Sequence, residues 1–241
     1  MAKAVRNRDL VDVLKTIVGD DHVLDAPEDM LVFEFDGSIE KRPPQAVELP
    51  ASAEQVSRIV RLAYEQGVPV VPRGAGTGLS GGAVAIEGGI LLVMTRMNRI
   101  LEVDTTNRFA VVEPGVVNQH VTQQVAEHNL MYVPDPSSQK TCTIGGNVAE
   151  NSGRPHCLAY GVTTNHVLGV EVVLPDGEMV WLGGFEQDRP GYDLLGAFVG
   201  SEGTLGVATK VMVKLVPEPE AVKTLVAPFK DIDDASRAVS T

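Results

Sequence analysis

The sequence predicts an α+β fold in two parts, a small parallel strand-helix-strand unit followed by a larger, mainly antiparallel sheet with flanking helices. Three observations predict it. Residues 46–71 read as strand, helix and strand in close succession. The second half instead concentrates β-branched residues in four runs: Arg108–Glu113, Val167–Leu174, Glu178–Leu182 and Thr204–Leu215. Between the second and third runs lie Pro175, Asp176 and Gly177, a turn that predicts a hairpin.

Each element has its own signal. Leu10, Val13, Leu14 and Ile17 fall at helical spacing, and Gly19 closes that helix. Residues 20–45 are mixed, acidic and proline-bearing, which predicts a loop-rich approach to a short strand at Ala46–Leu49. Ser52 and Gln55 then form a capping-box pair. Val56, Ile59, Val60 and Ala63 make one apolar stripe, and Gly67 ends the helix. Val68–Val71 is the next strand, a glycine-rich loop follows, and GGILLVMTRM reads as a buried strand. A helix over 118–129 carries Val121 and Val125 on one face. After Pro217 and Pro219 the pattern TLVAPF predicts a strand, and DIDDASRAV opens a helix in which the chain ends. The expected division is 1–97, 98–217 and 218–241, the last being the start of a further domain of a longer protein.

Composition narrows the function. The formal charge is −12, 44% of residues are hydrophobic and 22% are charged. A nucleic-acid-binding surface needs clustered Lys and Arg, and no basic run is present. Charges interrupt the N-terminal segment before any signal-like apolar region forms. The longest apolar stretch, near Ile90–Met94, is too short to cross a bilayer. Cys142 and Cys157 have neither zinc nor disulfide-framework spacing. His156 and Cys157 are adjacent, and adjacent side chains in an extended segment point apart, so they make a poor nucleophile-base pair.

The strongest motif is Pro72-Arg73-Gly74-Ala75-Gly76-Thr77-Gly78-Leu79-Ser80-Gly81-Gly82, with five glycines between 74 and 82. A loop so bare of side chains can wrap a pyrophosphate with backbone N–H donors, and Arg73 adds charge. Gly76, Gly78 and Gly81 spell G-x-G-x-x-G, but the Rossmann fingerprint must open a helix. Here the loop runs through AVAIEGG into a strand, so any phosphate binding must come from the loop backbone. A second motif joins Pro134-Asp135-Pro136-Ser137-Ser138 to Thr143-Ile144-Gly145-Gly146-Asn147-Val148-Ala149-Glu150-Asn151. Its small hydroxyl and amide groups among glycines suit a flat heterocycle. The third, Gly200-Ser201-Glu202-Gly203-Thr204-Leu205-Gly206-Val207, is a turn entering a strand.

In this order and spacing the three motifs resemble the flavin-binding half of the FAD-linked oxidase family, with its vanillyl-alcohol-oxidase-like or PCMH-type fold. The likeness runs from about Asp36 to Pro217. The branch it resembles is the FAD-binding D subunit of bacterial glycolate oxidase, with D-lactate and D-2-hydroxyacid dehydrogenases. The resemblance implies two subdomains with FAD between them. Arg73, Gly74, Ala75, Gly76, Thr77 and Gly78 would hold the pyrophosphate. Pro134, Asp135, Thr143, Gly145, Gly146 and Asn147 would line the flavin and its ribityl chain. Glu202, Gly206 and Val207 would meet the adenosine end or nearby backbone.

The resemblance also implies an oxidoreductase acting on a small 2-hydroxyacid, with other oxidase subunits as partners. It implies a cytoplasmic location, with membrane contact only through those partners. Some relatives attach FAD through a histidine in the first loop. No histidine lies between Gly67 and Met94, and Cys142 is displaced by one from the register a cysteinyl link needs, so FAD is expected to be non-covalent. The family's catalytic histidines belong to a C-terminal cap motif that this chain lacks, so no catalytic residue is assigned. A UDP-enolpyruvoyl-sugar reductase on the same fold, and a flavin-binding or electron-transfer module without a substrate site, stay open as alternatives.

Overall fold

The computed structural model describes residues 7–153, 156–185 and 191–240. Helix α1 (Asn7–Val18) leads to β1 (Val23–Leu24), the one-turn helix α2 (Pro27–Met30) and β2 (Ala46–Glu48). The segment expected to be a loop-rich approach also contains β1 and α2. Helix α3 (Ala53–Gln66) starts at Ser52, whose Oγ accepts from Gln55 N at 3.3 Å. It stops at Gly67, whose left-handed φ of 64° ends the helical path. Strands β3 (Val70–Arg73) and β4 (Ile90–Val93) follow. The first sheet has the order β1-β2-β4-β3. β4 pairs in parallel with both β2 and β3, and β1 runs antiparallel on the edge. β4 is buried from end to end, as a central parallel strand should be. Leu10, Leu14, Val56, Ile59 and Val60 cover one face together with Ile90 and Leu92. Met30 and Phe33 cover the other, against Leu91 and Val93.

The second sheet contains β5 (Ile100–Asp104), β6 (Phe109–Val112), β7 (Leu130–Tyr132), β8 (Val167–Val173), β9 (Met179–Gly183) and β10 (Val207–Pro217). Helices α4 (Asn118–Val125), α5 (Ile144–Glu150), α6 (Cys157–Tyr160) and α7 (Leu194–Phe198) are interleaved with these strands, and α8 (Ile232–Ser240) follows. The order is β5-β6-β10-β8-β9, with β7 also on β10, and every pairing is antiparallel. The expected hairpin joins β8 to β9, with Gly177 at φ 84°. Along β10 buried and less buried residues alternate, and Val211, Val213 and Leu215 enter the second core. α3 packs on both β8 and β10, which places the two sheets against each other.

TLVAPF is not a strand. Leu225 and Val226 are exposed and pair with no described strand, and residues of high β propensity form a strand only where a sheet edge receives them.

Candidate cofactor site

Where the sheets meet, the β3–β4 loop, α5 and the turn before β10 enclose a cavity of about 730 Å³. That volume is within the range of small-molecule sites. Among the described residues, no backbone N–H from Gly74 to Gly82 donates to a protein acceptor. A row of donors is therefore available to an anion. No helix follows the loop, so this is not the Rossmann arrangement.

Arg73 is buried, and its guanidinium curls back under the loop. Nη1 donates to Ala83 O at 3.2 Å, and Cζ lies 5.8 Å from the centre of the Phe33 ring. Gly76 has φ 68°, and a Cβ there would fall 2.2 Å from Arg73 Nη2. Burial lowers the Arg73 pKa and Asp36 opposes that shift. A guanidinium stays charged in proteins. Arg73 therefore braces the loop from beneath as well as supplying charge.

The sequence reading placed no helix in the second motif, yet its core is helix α5. Thr143 Oγ1 accepts from Gly146 N at 3.4 Å as N-cap, and Asn151 closes the helix at φ 45°. Burial of Ile144 and Val148 holds it in spite of two glycines. The first loop touches it directly: a methyl on Gly74 would lie 2.3 Å from Thr143 Oγ1. The third motif is tied to α5 by Gly200 N to Val148 O at 2.8 Å and Glu202 N to Ala149 O at 2.9 Å.

The cavity lining contains Arg73 through Gly78, Thr143, Gly145, Gly146, Asn147, Glu202, Gly206 and Val207. Pro134 and Asp135 stand outside it. Pro134 O accepts from Asn118 Nδ2 at 3.1 Å, and Asp135 Oδ1 lies 3.5 Å from His156 Nδ1. Asn147 faces the cavity, but its amide is engaged. Its Oδ1 accepts from Asn118 Nδ2 at 2.8 Å, and its Nδ2 reaches Cys142 Sγ and Ser152 Oγ, both at 3.4 Å. The sequence reading missed Asp36, Cys142, Glu150 and Ser201 as lining residues. The last three lie in or beside motifs already singled out. Asp36 has no local signal, since its carboxylate reaches Ala83 N only through the fold.

The residues present fit a flavin dinucleotide. They supply free N–H donors, a floor of glycines and the Ser201 hydroxyl, which is buried without a hydrogen-bond partner among the described residues. Two packed sheets with a glycine-lined cleft between them define a nucleotide-binding flavoprotein domain. A sequence profile described as "FAD binding domain" matches residues 44–183, and the chain belongs to that family. Its cofactor is FAD.

The chain is 50% identical over 218 residues to glycolate oxidase subunit GlcD of Escherichia coli (strain K12), covering 90% of this chain and 44% of that protein. It is 40% identical over 200 residues to D-lactate dehydrogenase of Anaerostipes hadrus, covering 83% and 42%. The solved structure of p-cresol methylhydroxylase with substrate bound superposes with a TM-score of 0.76 at 23% identity, over 89% of this chain and 44% of that one, which shows the shared fold. The chain spans about half the length of the curated relatives it matches.

Proposed function

We propose that the chain is the FAD-holding part of a flavin-dependent 2-hydroxyacid dehydrogenase of the glycolate or D-lactate type. The row of free N–H groups from Gly74 to Gly82 carries the cofactor half of this reading. The similarity to GlcD and D-lactate dehydrogenase supports the substrate half. Bound FAD supplies the acceptor for the hydride that leaves the α-carbon of the hydroxyacid. The protein's part is to bind and orient it. The loop N–H groups hold the pyrophosphate and Arg73 keeps their geometry. Thr143, Gly145, Gly146 and Asn147 form the wall for the ring and ribityl chain. Glu202, Gly206 and Val207 close the adenosine end. The cofactor is held without a covalent bond: no histidine is among the described lining residues, and the Cys142 thiol is engaged by Asn147.

The proposal includes a division at residues 97 and 217, with the catalytic base supplied by sequence outside 1–217. It also includes association with other oxidase subunits and a cytoplasmic location. Among the described residues, no helix is long and apolar enough to cross a membrane.

The test is anaerobic mixing of the flavin-loaded, full-length protein with glycolate, D-lactate or NADPH, followed by the visible flavin absorbance. A 2-hydroxyacid is expected to bleach it. Bleaching by NADPH alone would transfer the protein to the sugar-reductase reading. No bleaching by any of them, with FAD bound, would leave a module without a substrate site.

A further inference from the structure

The charged residues lining the described cavity are Asp36, Arg73, Glu150 and Glu202, three carboxylates against one guanidinium. Glu150, at the end of α5, reaches into the glycine cradle. Its Oε1 accepts from Ser80 Oγ at 2.6 Å. A methyl on Gly78 would lie 3.4 Å from that same oxygen, and one on Gly82 would lie 3.5 Å from it. On the other flank Glu202 Oε2 lies 3.8 Å from the same Gly82 position. The cradle therefore presents N–H donors to a diphosphate and a carboxylate beside them. Arg73 cannot offset this fully, because it lies beneath the loop with Asp36 near it.

We infer that Glu150 restrains cofactor affinity: its carboxylate sits at the glycine cradle and opposes the diphosphate, so that removing its charge tightens FAD binding. This rests on the reading of the loop as the pyrophosphate site. Two like charges about 4 Å apart in water change an equilibrium constant by about fivefold. Glu150 is exposed, so the repulsion is screened by salt. Affinity for an anion then rises with ionic strength, opposite to the usual response of a phosphate site built on cations. The Ser80 contact is a consequence of where the carboxylate stands and does not hold the cofactor.

The experiment is titration of FAD into flavin-free full chain, followed by quenching of flavin fluorescence, at low and high salt. The variants are Glu150→Gln, Glu150→Ala and Ser80→Ala. Wild type is expected to bind FAD more tightly at high salt. Both Glu150 variants should bind about fivefold more tightly at low salt, with a smaller salt response, and Ser80→Ala should stay within about twofold of wild type. Unchanged or weaker binding by the Glu150 variants would overturn the inference. So would parallel weakening in Ser80→Ala and Glu150→Gln, which would make the contact a latch. The wild-type salt response decides the sign even if a variant fails to fold. No FAD binding by wild type under any condition would instead remove the underlying site assignment.

Discussion

Substituting Gly76 by valine should abolish tight FAD binding, and the structure says why. The Cβ of residue 76 points under the loop, towards the Arg73 guanidinium at 2.2 Å from Nη2 and 2.6 Å from Cζ. Left-handed backbone at φ 68° costs a side-chain-bearing residue about 1–2 kcal/mol. Displacing Arg73 also breaks its bond to Ala83 O, a charge-assisted bond of about 1.5–3 kcal/mol. Together these reach about 2.5–5 kcal/mol, and the loop escapes them by leaving the conformation that aligns its N–H groups. At about 1.4 kcal/mol per tenfold, the FAD dissociation constant should rise at least about 60-fold. The assay is fluorescence titration of flavin-free protein, with thermal melting alongside. Gly67→Ala is the control, because φ there is also left-handed, at 64°, while nothing lies within 4 Å of a Cβ. It should cost about 1 kcal/mol of stability and leave FAD affinity unchanged. Gly177, in the β8–β9 turn, makes a worse control, since a Cβ would sit 2.8 Å from Ser57 O. Wild-type affinity in Gly76→Val would refute the reasoning and remove Arg73 to Gly78 from the site.

Three further outcomes are expected. Glu48 is fully buried without hydrogen-bond partners among the described residues, and burial raises its pKa from 4.5 to about 8, with Lys15 lowering it and Asp25 raising it. The folded state then keeps a proton that the unfolded chain releases, so this group's contribution is lost as pH climbs from about 4.5 through 8; Glu48→Gln should raise the melting temperature at pH 8 far more than at pH 5, and an equal shift at both would refute this. Asn118→Ala leaves Pro134 O without its donor and Asn147 Oδ1 with only the Cys142 thiol at 3.9 Å, and should cost about 3 kcal/mol by urea denaturation, with a cost under about 1 kcal/mol contradicting the role of that network. Thr143→Ala removes the N-cap of α5 and should cost about 1 kcal/mol, which Thr143→Ser should restore.

What the sequence disclosed depends on range. α3 was legible because stripe, cap and terminating glycine are all local, and the β8–β9 hairpin because its turn chemistry is local. β1 was not, since two residues become a strand only through pairing with Val47 and Glu48. α5 was masked by Gly145 and Gly146, although Thr143 and Asn151 were usable end signals. The motifs located the cavity. They could not show that Arg73 turns beneath its own loop, because Ala83 and Phe33 decide that in three dimensions. Nor could they show that Pro134 is held by Asn118 outside the lining, or that Glu150 reaches Ser80.

Strand β10 sets the order in which the protein can be made. β6, β7 and β8 leave the ribosome first, yet all three pair with this later segment, and its leading residues Val207 and Ala208 also wall the cavity. Until residue 217 has emerged, the nascent chain carries unpaired strand edges and an open cleft. Synthesis stalled before residue 207 should therefore yield an aggregation-prone chain that adding flavin cannot rescue, and loading must follow translation of the whole second sheet.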